Sequence, residues 1–366
     1  MRNILFITSN GFGLGHVTRC MAIAKRLPPD IQPVIFTLSE ALPVVRQQGF
    51  FAEYFASRDT ETADQWNGRL RKRLLNVFKE YDPDVVIFDG THSYRGMRDA
   101  IEEDDNRKFV WSRRGMWRPG GGVSNLTFAS YFDAIIEPGE FAHEADQGLT
   151  TQHREGVTMV DPILFCDEED LLSREDAERE LGLEPGAVNV LIQPGWENDE
   201  YTPTGTKFVE RLRREGEPVQ IVVATSPLKS RDVPLPEGLQ RVSTYPLARV
   251  YRAFDLCVSG AGYNIFHELV GYQVPALFIP NAGTPLDDQV ARTQYAQEKG
   301  VARSWEDGSG ESLEKHLALL LDPAERERMR SRMLELRFPN GAKAAADRIA
   351  ELSAERQAEQ TAAANA

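Results

Sequence analysis

A glycine-rich loop that ends in a histidine follows the first hydrophobic run of the chain. The segment Gly11 to Cys20 reads GFGLGHVTRC. Its glycine-rich part ends at His16, where a predicted amphipathic helix begins. Alternating glycines let the backbone approach a ligand, and an imidazole at the start of a helix exchanges protons near neutral pH. We therefore predict that His16 is a general base and that Gly13 and Gly15 leave room for its substrate. The alternative is a histidine that only caps the helix.

The spacing of these glycines does not fit a nicotinamide cofactor. The dinucleotide fingerprint has the form GxGxxG, with an acidic residue about 20 positions later at the end of the second strand. Gly11 and Gly13 fit its first two positions, but His16 occupies the third, and Glu40 comes too late. We therefore expect no cofactor at this loop.

A second turn of small residues lies in the other half of the chain. The run DLCVS leads into GAGYNIFHELVG, so a predicted helix follows Ser259, Gly260, Ala261 and Gly262. Amide groups at the start of a helix bind phosphate. Glu268 follows two turns later, where a carboxylate can accept both hydroxyls of a ribose. An ordinary exposed glutamate is the alternative.

A loop further downstream carries side chains suited to sugar hydroxyls. The segment GTPLDDQVARTQYA places Asp287, Asp288 and Gln289 at the start of another predicted helix. Carboxylates and amides form hydrogen bonds with hydroxyls, but the same residue types cap helices. Both interpretations stay open.

Strands that alternate with helices must position these residues. The alternation indicates parallel βαβ units, whose right-handed crossovers bring the loops to the carboxyl edge of a sheet, where ligands bind. We predict helices near 204–214, 247–254, 262–272 and 287–299. The predicted strands are 3–8, 33–37, 84–88, 108–112, 133–137, 188–193, 219–224, 256–259 and 276–279.

An acidic segment divides the chain into two α/β halves. It reads DEEDLLSREDAERE over residues 167–180, and Ser173 is predicted to cap its helix. We predict one domain over 1–162, a second over 163–353, and a frayed, low-complexity tail over 354–366.

Composition excludes several classes of protein. The 366 residues carry a formal net charge of -14, which disfavours nucleic-acid binding. The 3 cysteines are scattered without metal-ligand or disulfide spacing. The sequence has no signal-peptide pattern and no membrane-spanning run, so we expect a cytoplasmic protein.

The sequence resembles MurG-type glycosyltransferases, which add N-acetylglucosamine to a lipid-linked muramyl peptide in bacteria. The donor half carries the more specific part, YPLARVYRAFDLCVSGAGYNIFHELVGYQVPALFIP and DDQVARTQYAQEKGVA, and GFGLGH is similar to the family's N-terminal loop. The resemblance implies the GT-B fold, in which two Rossmann-like domains with parallel sheets face each other across a cleft. The predicted first domain would bind the acceptor and the second the nucleotide-sugar donor.

The resemblance also implies roles for individual residues. His16 would deprotonate the acceptor hydroxyl in an inverting reaction. The backbone near Thr244 would read the uracil of a UDP-sugar, the 259–262 turn would hold the phosphates, and Glu268 would hold the ribose. Asn264 would also contact the donor. Asp288 and Gln289 would hold the sugar, for example N-acetylglucosamine.

Two interpretations compete with transfer. UDP-sugar hydrolases have a loop of the form GxGHxxR, and Gly13 to Arg19, GLGHVTR, is similar to it. A hydrolase or epimerase on the same fold is therefore one alternative. The other is a non-catalytic protein that binds a nucleotide-sugar.

We predict that no metal takes part. The only DxD motif, Asp82 to Asp84, precedes a predicted strand and so lies at the edge of the sheet opposite to the ligand-binding edge.

Two further segments suggest acceptor contacts. In FVWSRRGMWRPGGG, Arg113 and Arg114 would receive an anionic group, and Trp111 and Trp117 would stack on a sugar or prenyl surface. The alternative is a buried aromatic cluster with surface arginines.

The segment RLRKRLLNVFKEY, residues 69–81, has one apolar helical face and a basic end at Arg69, Arg71, Lys72 and Arg73. It predicts either peripheral contact with anionic lipid or a core-facing helix with a solvated basic side.

Overall fold

The computed structural model describes residues 2–9, 14–58, 60–104, 106–193, 208–210, 212, 219–228, 235, 237–306 and 312–365. The chain forms two compact units. The N-terminal unit comprises Met1–Glu140, Gln147–Phe165 and Asn340–Ala366. The C-terminal unit comprises Phe141–Asp146 and Cys166–Pro339.

The N-terminal unit is built on a parallel sheet with the strand order β3-β2-β1-β4-β5-β6-β7. The strands are β1 Arg2–Thr8, β2 Ile31–Thr37, β3 Phe51–Tyr54, β4 Val85–Asp89, β5 Lys108–Ser112, β6 Ala134–Pro138 and β7 Thr158–Val160. The order reverses between β1 and β4, where Thr8 lies beside Asp89. Ligands bind at the carboxyl edge of such a switch point, and both strands deliver a loop there.

Helices cover the faces of this sheet because their apolar sides repeat at helical spacing. They are α1 Gly15–Ala24, α2 Leu42–Gln47, α3 Ala63–Tyr81, α4 Arg95–Glu102 and the short α5 Val123–Leu126. In α1, every residue from Val17 to Ala24 is buried. The helix that begins with the glycine loop is therefore fixed against the core.

The C-terminal unit repeats this plan with the strand order β10-β9-β8-β11-β12-β13. The strands are β8 Val188–Gln193, β9 Val219–Ala224, β10 Leu239–Val242, β11 Leu256–Gly260, β12 Ala276–Ile279 and β13 Arg303–Ser304. The helices are α6 Arg174–Leu181, α7 Tyr263–Gly271, α8 Gln289–Glu298, α9 Leu313–Leu321 and α10 Pro323–Glu335. The switch point lies between β8 and β11, where Gln193 pairs with Ser259.

The prediction of a frayed tail over 354–366 is wrong. The last helix, α11, spans Ala342–Ala364 and belongs to the N-terminal unit rather than to the donor half. Its first half buries alanine, isoleucine and leucine side chains, and its second half forms surface bonds, among them an ion pair between Glu359 and Lys108 at 2.7 Å. Because the chain returns to its first unit, the predicted domain over 163–353 loses its C-terminal part.

The helix over residues 69–81 has the core-facing arrangement, one of the two alternatives that its sequence left open. In α3, Leu70, Leu74 and Val77 are 0% exposed. Three of the four residues at its basic end form ion pairs with acidic side chains of the same unit: Arg69 with Glu61, Arg71 with Glu103, and Arg73 with Glu53. No helix in the described part of the chain is long and apolar enough to cross a membrane.

The DxD motif lies where the sequence predicts it, at the amino end of its strand. Asp82 ends α3 in the left-handed conformation, with φ at 40°. Asp84 precedes β4, and its carboxylate accepts a hydrogen bond of 2.8 Å from the Ser353 hydroxyl. Both carboxylates therefore lie at the edge of the sheet opposite to Asp89.

Candidate functional site

A histidine and an aspartate meet at the switch point of the N-terminal sheet. His16 is the second residue of α1, directly after the loop that follows β1, and Asp89 is the last residue of β4. The Nδ1 atom of His16 lies 2.6 Å from Oδ1 of Asp89. The His16 side chain is 20% exposed, whereas that of Asp89 is 0% exposed. The pair thus joins a buried carboxylate to an imidazole that solvent can reach.

Two further donors hold the carboxylate of Asp89. The guanidinium of Arg19 donates to both of its oxygens, with Nε 3.0 Å from Oδ2. The hydroxyl of Ser112, at the end of β5, donates to Oδ2 at 2.7 Å. A buried carboxylate with this many donors stays ionised and accepts hydrogen bonds only.

Burial by itself would raise the pKa of Asp89. The charge of Arg19 and the hydrogen bond from His16 outweigh burial and hold this pKa well below its usual range. The Nδ1 atom of His16 must therefore carry the hydrogen that faces Asp89, which leaves the lone pair on Nε2. In this tautomer, the 2.9 Å approach of Arg19 Nη2 to Nδ1 joins two donors and is not a hydrogen bond.

The pKa of His16 is lowered from its usual value. The largest cause is burial, and the charges of Arg19 and Arg114 act in the same direction against the raising effect of Asp89. Among the described residues, none forms a hydrogen bond with Nε2 of His16. At neutral pH the side chain is therefore a neutral imidazole with an unoccupied basic nitrogen.

Space next to this base is open at Gly15. Apart from its chain neighbours, no heavy atom of the described residues lies within 4 Å of where a Cβ of residue 15 would stand. Gly13, predicted to contribute to the same space, lies outside the described residues.

Arg113 is not available to an acceptor, contrary to the prediction. Its guanidinium is 1% exposed and donates to Glu137 at 2.8 Å and to the carbonyl of His153 at 2.9 Å. Arg154 donates to the other oxygen of Glu137. Because charges this buried require internal partners, Arg113 belongs to a structural ion network. Arg114 is half-buried and close enough to His16 to affect its pKa, and its acceptor role stays a prediction.

The tryptophans of this segment also face inward. Trp111 and Trp117 are 0% and 2% exposed, and their ring centroids lie 6.5 Å apart. The indole of Trp111 donates to the carbonyl of Gly90 at 2.8 Å. The aromatic cluster is therefore buried, as the alternative has it, but Arg113 is buried as well and is not a surface arginine.

The second turn of small residues lies at the switch point of the C-terminal sheet. Ser259 and Gly260 end β11, Ala261 follows, and Gly262 is the N-cap of α7. Gly262 has no side chain that caps the helix, and no non-neighbouring heavy atom of the described residues lies within 4 Å of where its Cβ would stand. The buried hydroxyl of Ser259 has no hydrogen-bond partner in the described part of the chain. The turn therefore has the polar groups and the space that an anion needs.

Glu268 is buried in the same helix rather than exposed. The residue is 9% exposed, and burial raises the pKa of its carboxyl group to about 8. The hydroxyl of Tyr251 lies 3.5 Å from Oε2 of Glu268 and donates at 3.0 Å to Oε1 of Gln193. A carboxyl with so weak a partner is poised for a better one, because two donating hydroxyls would favour its ionised form.

The side chains predicted to hold the sugar are partly engaged. Asp288 caps α8, and its Oδ1 atom accepts from the amide of Ala291 at 3.1 Å. Gln289 accepts from the amide of Asn281 at 3.0 Å and donates to Asp287 at 3.2 Å. Both groups of Gln289 therefore shape the loop, whereas Asp288 keeps a second carboxylate oxygen for a ligand.

The structure neither supports nor contradicts the roles predicted for the remaining donor residues. Thr244 is half-buried just after β10, and Asn264 is half-buried in the first turn of α7. Their roles stay predictions. Most of the helix predicted near 204–214 lies outside the described residues.

Sequence reasoning missed Asp89, Arg19 and Ser112. A signal existed for Asp89, because the run DVVIFDG ends a buried strand with a carboxylate, but only the strand order brings that end beside His16. Arg19 lies one turn after His16 on the same helix, and its spacing indicates a shared face. In the described part of the chain, no three His, Cys, Asp or Glu side chains cluster as metal ligands do.

Comparison with known proteins identifies the fold. The chain is 15% identical to MurG of Acinetobacter baumannii over 96% of this chain and 100% of that chain, with a TM-score of 0.64. The glycosyltransferase SnogD from Streptomyces nogalater is 14% identical, with a TM-score of 0.63 and coverage of 96% and 99%. The Streptomyces sp. SF2575 glycosyltransferase SsfS6, complexed with thymidine diphosphate, is 15% identical, with a TM-score of 0.61 and coverage of 96% and 100%. The chain therefore has the GT-B fold of two Rossmann-like units.

One sequence family also matches part of the chain. Residues 219–349 match the glycosyltransferase family 28 C-terminal domain, a range that contains β9 to β13 and the 259–262 turn. No curated protein matches the chain by sequence. The chain thus combines the GT-B fold with a segment that is similar to the glycosyltransferase family 28 C-terminal domain.

Proposed function

We propose that this protein is an inverting glycosyltransferase that moves a sugar from a UDP-sugar, such as UDP-N-acetylglucosamine, to an acceptor hydroxyl. The observation that carries the proposal is the contact between His16 and Asp89 at the carboxyl edge of the N-terminal sheet. It gives a neutral imidazole a fixed tautomer with a basic Nε2 atom, which is what a general base requires.

The reaction is a displacement at the anomeric carbon. The acceptor oxygen forms a bond to that carbon while the bond to the diphosphate breaks, and Nε2 of His16 takes the hydroxyl proton. Asp89 stabilises the imidazolium that forms, because its carboxylate stays ionised. Negative charge develops on the departing diphosphate, and the amino end of α7 after Gly262 would stabilise it.

The donor would lie along the C-terminal unit. The 259–262 turn would hold the phosphates, the carboxylate of Glu268 would accept the ribose hydroxyls, and Asp288 would bind the sugar through its second oxygen. Hydroxyls that donate to Glu268 favour the ionised form of its carboxyl group. We therefore expect Glu268 to release its proton to solvent when the donor binds. In this proposal, backbone and side-chain groups stabilise the departing diphosphate, so we expect activity to persist in a chelator.

Thermal stabilisation by nucleotide-sugars tests the donor assignment. A ligand that binds only the folded protein raises Tm by mass action. At a ligand concentration of 100 times its Kd, the free energy of unfolding increases by about 2.7 kcal/mol. We expect UDP-sugars to raise Tm and thymidine-linked sugars to raise it less, because Glu268 would hold one ribose hydroxyl instead of two. Stabilisation by thymidine-linked donors alone would contradict the UDP assignment.

Hydrolysis of a UDP-sugar is the second candidate. It is favoured by Arg19, which is the arginine of the GLGHVTR loop and holds Asp89 directly. The same base would then take a proton from water. Full-rate release of UDP without any acceptor would support hydrolysis, whereas release that depends on an acceptor supports transfer. Donor binding with no turnover under either condition would indicate a non-catalytic binding protein.

A further inference from the structure

A buried arginine connects the phosphate turn to the loop that precedes α8. Arg292, in α8, is 0% exposed. Its Nη1 atom donates to the carbonyl of Ala261 at 3.0 Å, and its Nη2 atom donates to Oδ1 of Asp287 at 2.8 Å. The guanidinium carbon lies 5.8 Å from the ring centroid of Phe266. One side chain thus bonds to both loops.

The loop around Asp287 is shaped by the same network. Oδ2 of Asp287 accepts from the amide of Gln289 at 3.2 Å, and its backbone carbonyl accepts from the hydroxyl of Thr284 at 2.5 Å. Gln289 in turn accepts from the backbone amide of Asn281. Asp288, whose Oδ2 atom forms no hydrogen bond within the described part of the chain, follows directly. Its position relative to the turn is therefore set through Arg292 and Asp287.

We infer that Arg292 is a positioning residue that fixes the sugar-binding loop relative to the phosphate turn. The inference rests on the proposed function, because it assigns the two loops to the two parts of one donor. Arg292 itself touches neither part of the ligand. Its role predicts that the contribution of the sugar to binding depends on residue 292 more strongly than the binding of the diphosphate does.

The chemistry of the guanidinium suits this role. A planar fork with several donors reaches two acceptors in fixed directions, whereas an ammonium is a single point charge. The carboxylate of Asp287 pairs with the charge of Arg292. The main effect of losing the Arg292 side chain is therefore a change of loop position rather than a weaker attraction for phosphate. A misplacement of about 1 Å costs on the order of 100-fold in rate.

Calorimetry with UDP and with the UDP-sugar that most stabilises the wild type tests the inference. In Arg292→Met, we expect the Kd for UDP to change less than about threefold. The fold-increase in the Kd for the UDP-sugar should be at least about ten times the fold-change for UDP. Arg292→Lys should recover only part of the difference. Arg303→Met is the matched control, because Arg303 pairs with Glu325 in the same unit and does not bond to either loop. It should leave both constants unchanged.

The outcomes separate the inference from the proposed function. If Arg292→Met does not fold, Asp287→Asn carries the test, since it weakens one arm of the network and should change the two constants in the same unequal way. Equal changes for both ligands, or none, would overturn the positioning role. A wild-type protein that binds no nucleotide-sugar would overturn the proposed function and this inference together.

Discussion

The Nδ1 atom of His16 lies 2.6 Å from Oδ1 of Asp89, although the two residues are 73 positions apart in the chain. One follows β1 and the other ends β4, the two strands at which the sheet order reverses. The parallel register of these strands places Thr8 beside Asp89, and His16, near the start of α1, contacts the end of β4. The contact between this imidazole and this carboxylate is therefore a product of strand order.

Replacing Asp89 with asparagine should slow turnover without preventing donor binding. An amide in place of the carboxylate no longer fixes the tautomer or stabilises the imidazolium, which lowers kcat by roughly 10³- to 10⁴-fold in comparable sites. Steady-state kinetics at saturating donor measures the loss. Asp64→Asn is the control, because Asp64 is an 84% exposed aspartate of the same unit. Equal kcat in both variants would remove Asp89 from the mechanism.

The pH dependence of kcat/KM, which reports the free enzyme, should show the lowered pKa of His16. The general base must be unprotonated, so the rate is constant above the pKa of His16 and falls tenfold per pH unit below it. Since burial places this pKa below 6.5, we expect the midpoint of the acid limb below pH 6.5. An acid limb centred above that value would show that His16 is not the titrating base.

Replacing Glu268 with glutamine should stabilise the free protein at alkaline pH. The pKa of Glu268 is about 8 in the folded state and near 4.5 when exposed, so the unfolded state loses its proton first as pH rises. Between pH 4.5 and pH 8, the free energy of unfolding of the wild type therefore falls as pH rises. Glu268→Gln removes this loss of stability, because glutamine does not ionise. We expect a gain of up to about 5 kcal/mol at pH 8.5 and almost none below pH 4.5.

The same variant should bind UDP less tightly. Loss of hydrogen bonds to a charged acceptor costs about 1.5–3 kcal/mol, roughly 10- to 100-fold in Kd. Thermal melts and calorimetry on one preparation measure both effects, with Glu335→Gln as an exposed control. A variant that is neither more stable nor weaker in binding would show that Glu268 has no role in the donor site.

Replacing Arg113 with methionine should destabilise the fold rather than weaken acceptor binding. Removing one partner of a buried ion pair costs about 3–5 kcal/mol, whereas a surface pair contributes about 0–1 kcal/mol. Arg69→Met is the matched control, since Arg69 and Glu61 are 51% and 31% exposed. Urea denaturation distinguishes the two variants. An Arg113 variant of normal stability and raised acceptor KM would restore the sequence-based interpretation.

The sequence predicts every interior strand of both sheets and none of the edge strands. The missed strands, β3, β7, β10 and β13, are the four ends of the two sheets. Edge strands are short and partly exposed, so they lack the continuous apolar run that marks β1 or β4. In β3, for example, Phe51 is 61% exposed. The α/β architecture was therefore predictable, and the sheet borders were not.

Single residues of the site were predictable where a local pattern marks them. His16 and Gly262 each end a glycine-rich segment, and that pattern predicts their positions at the starts of helices. The partners that make them functional come from distant segments, as Asp89 does for His16. Arg113 shows the opposite error, because an arginine pair in a loop does not reveal a buried carboxylate 24 residues later, Glu137.

Transfer of sugar by the wild type and by His16→Ala tests the central claim most directly. Each protein is incubated with the UDP-sugar that stabilises the wild type and with a panel of hydroxyl-bearing acceptors, and glycosylated product is measured by mass spectrometry. We expect product with the wild type, a loss of at least 100-fold with His16→Ala, and unchanged UDP-sugar binding in both. Undiminished product from His16→Ala, or loss of donor binding along with activity, would contradict the assignment of His16 as the base.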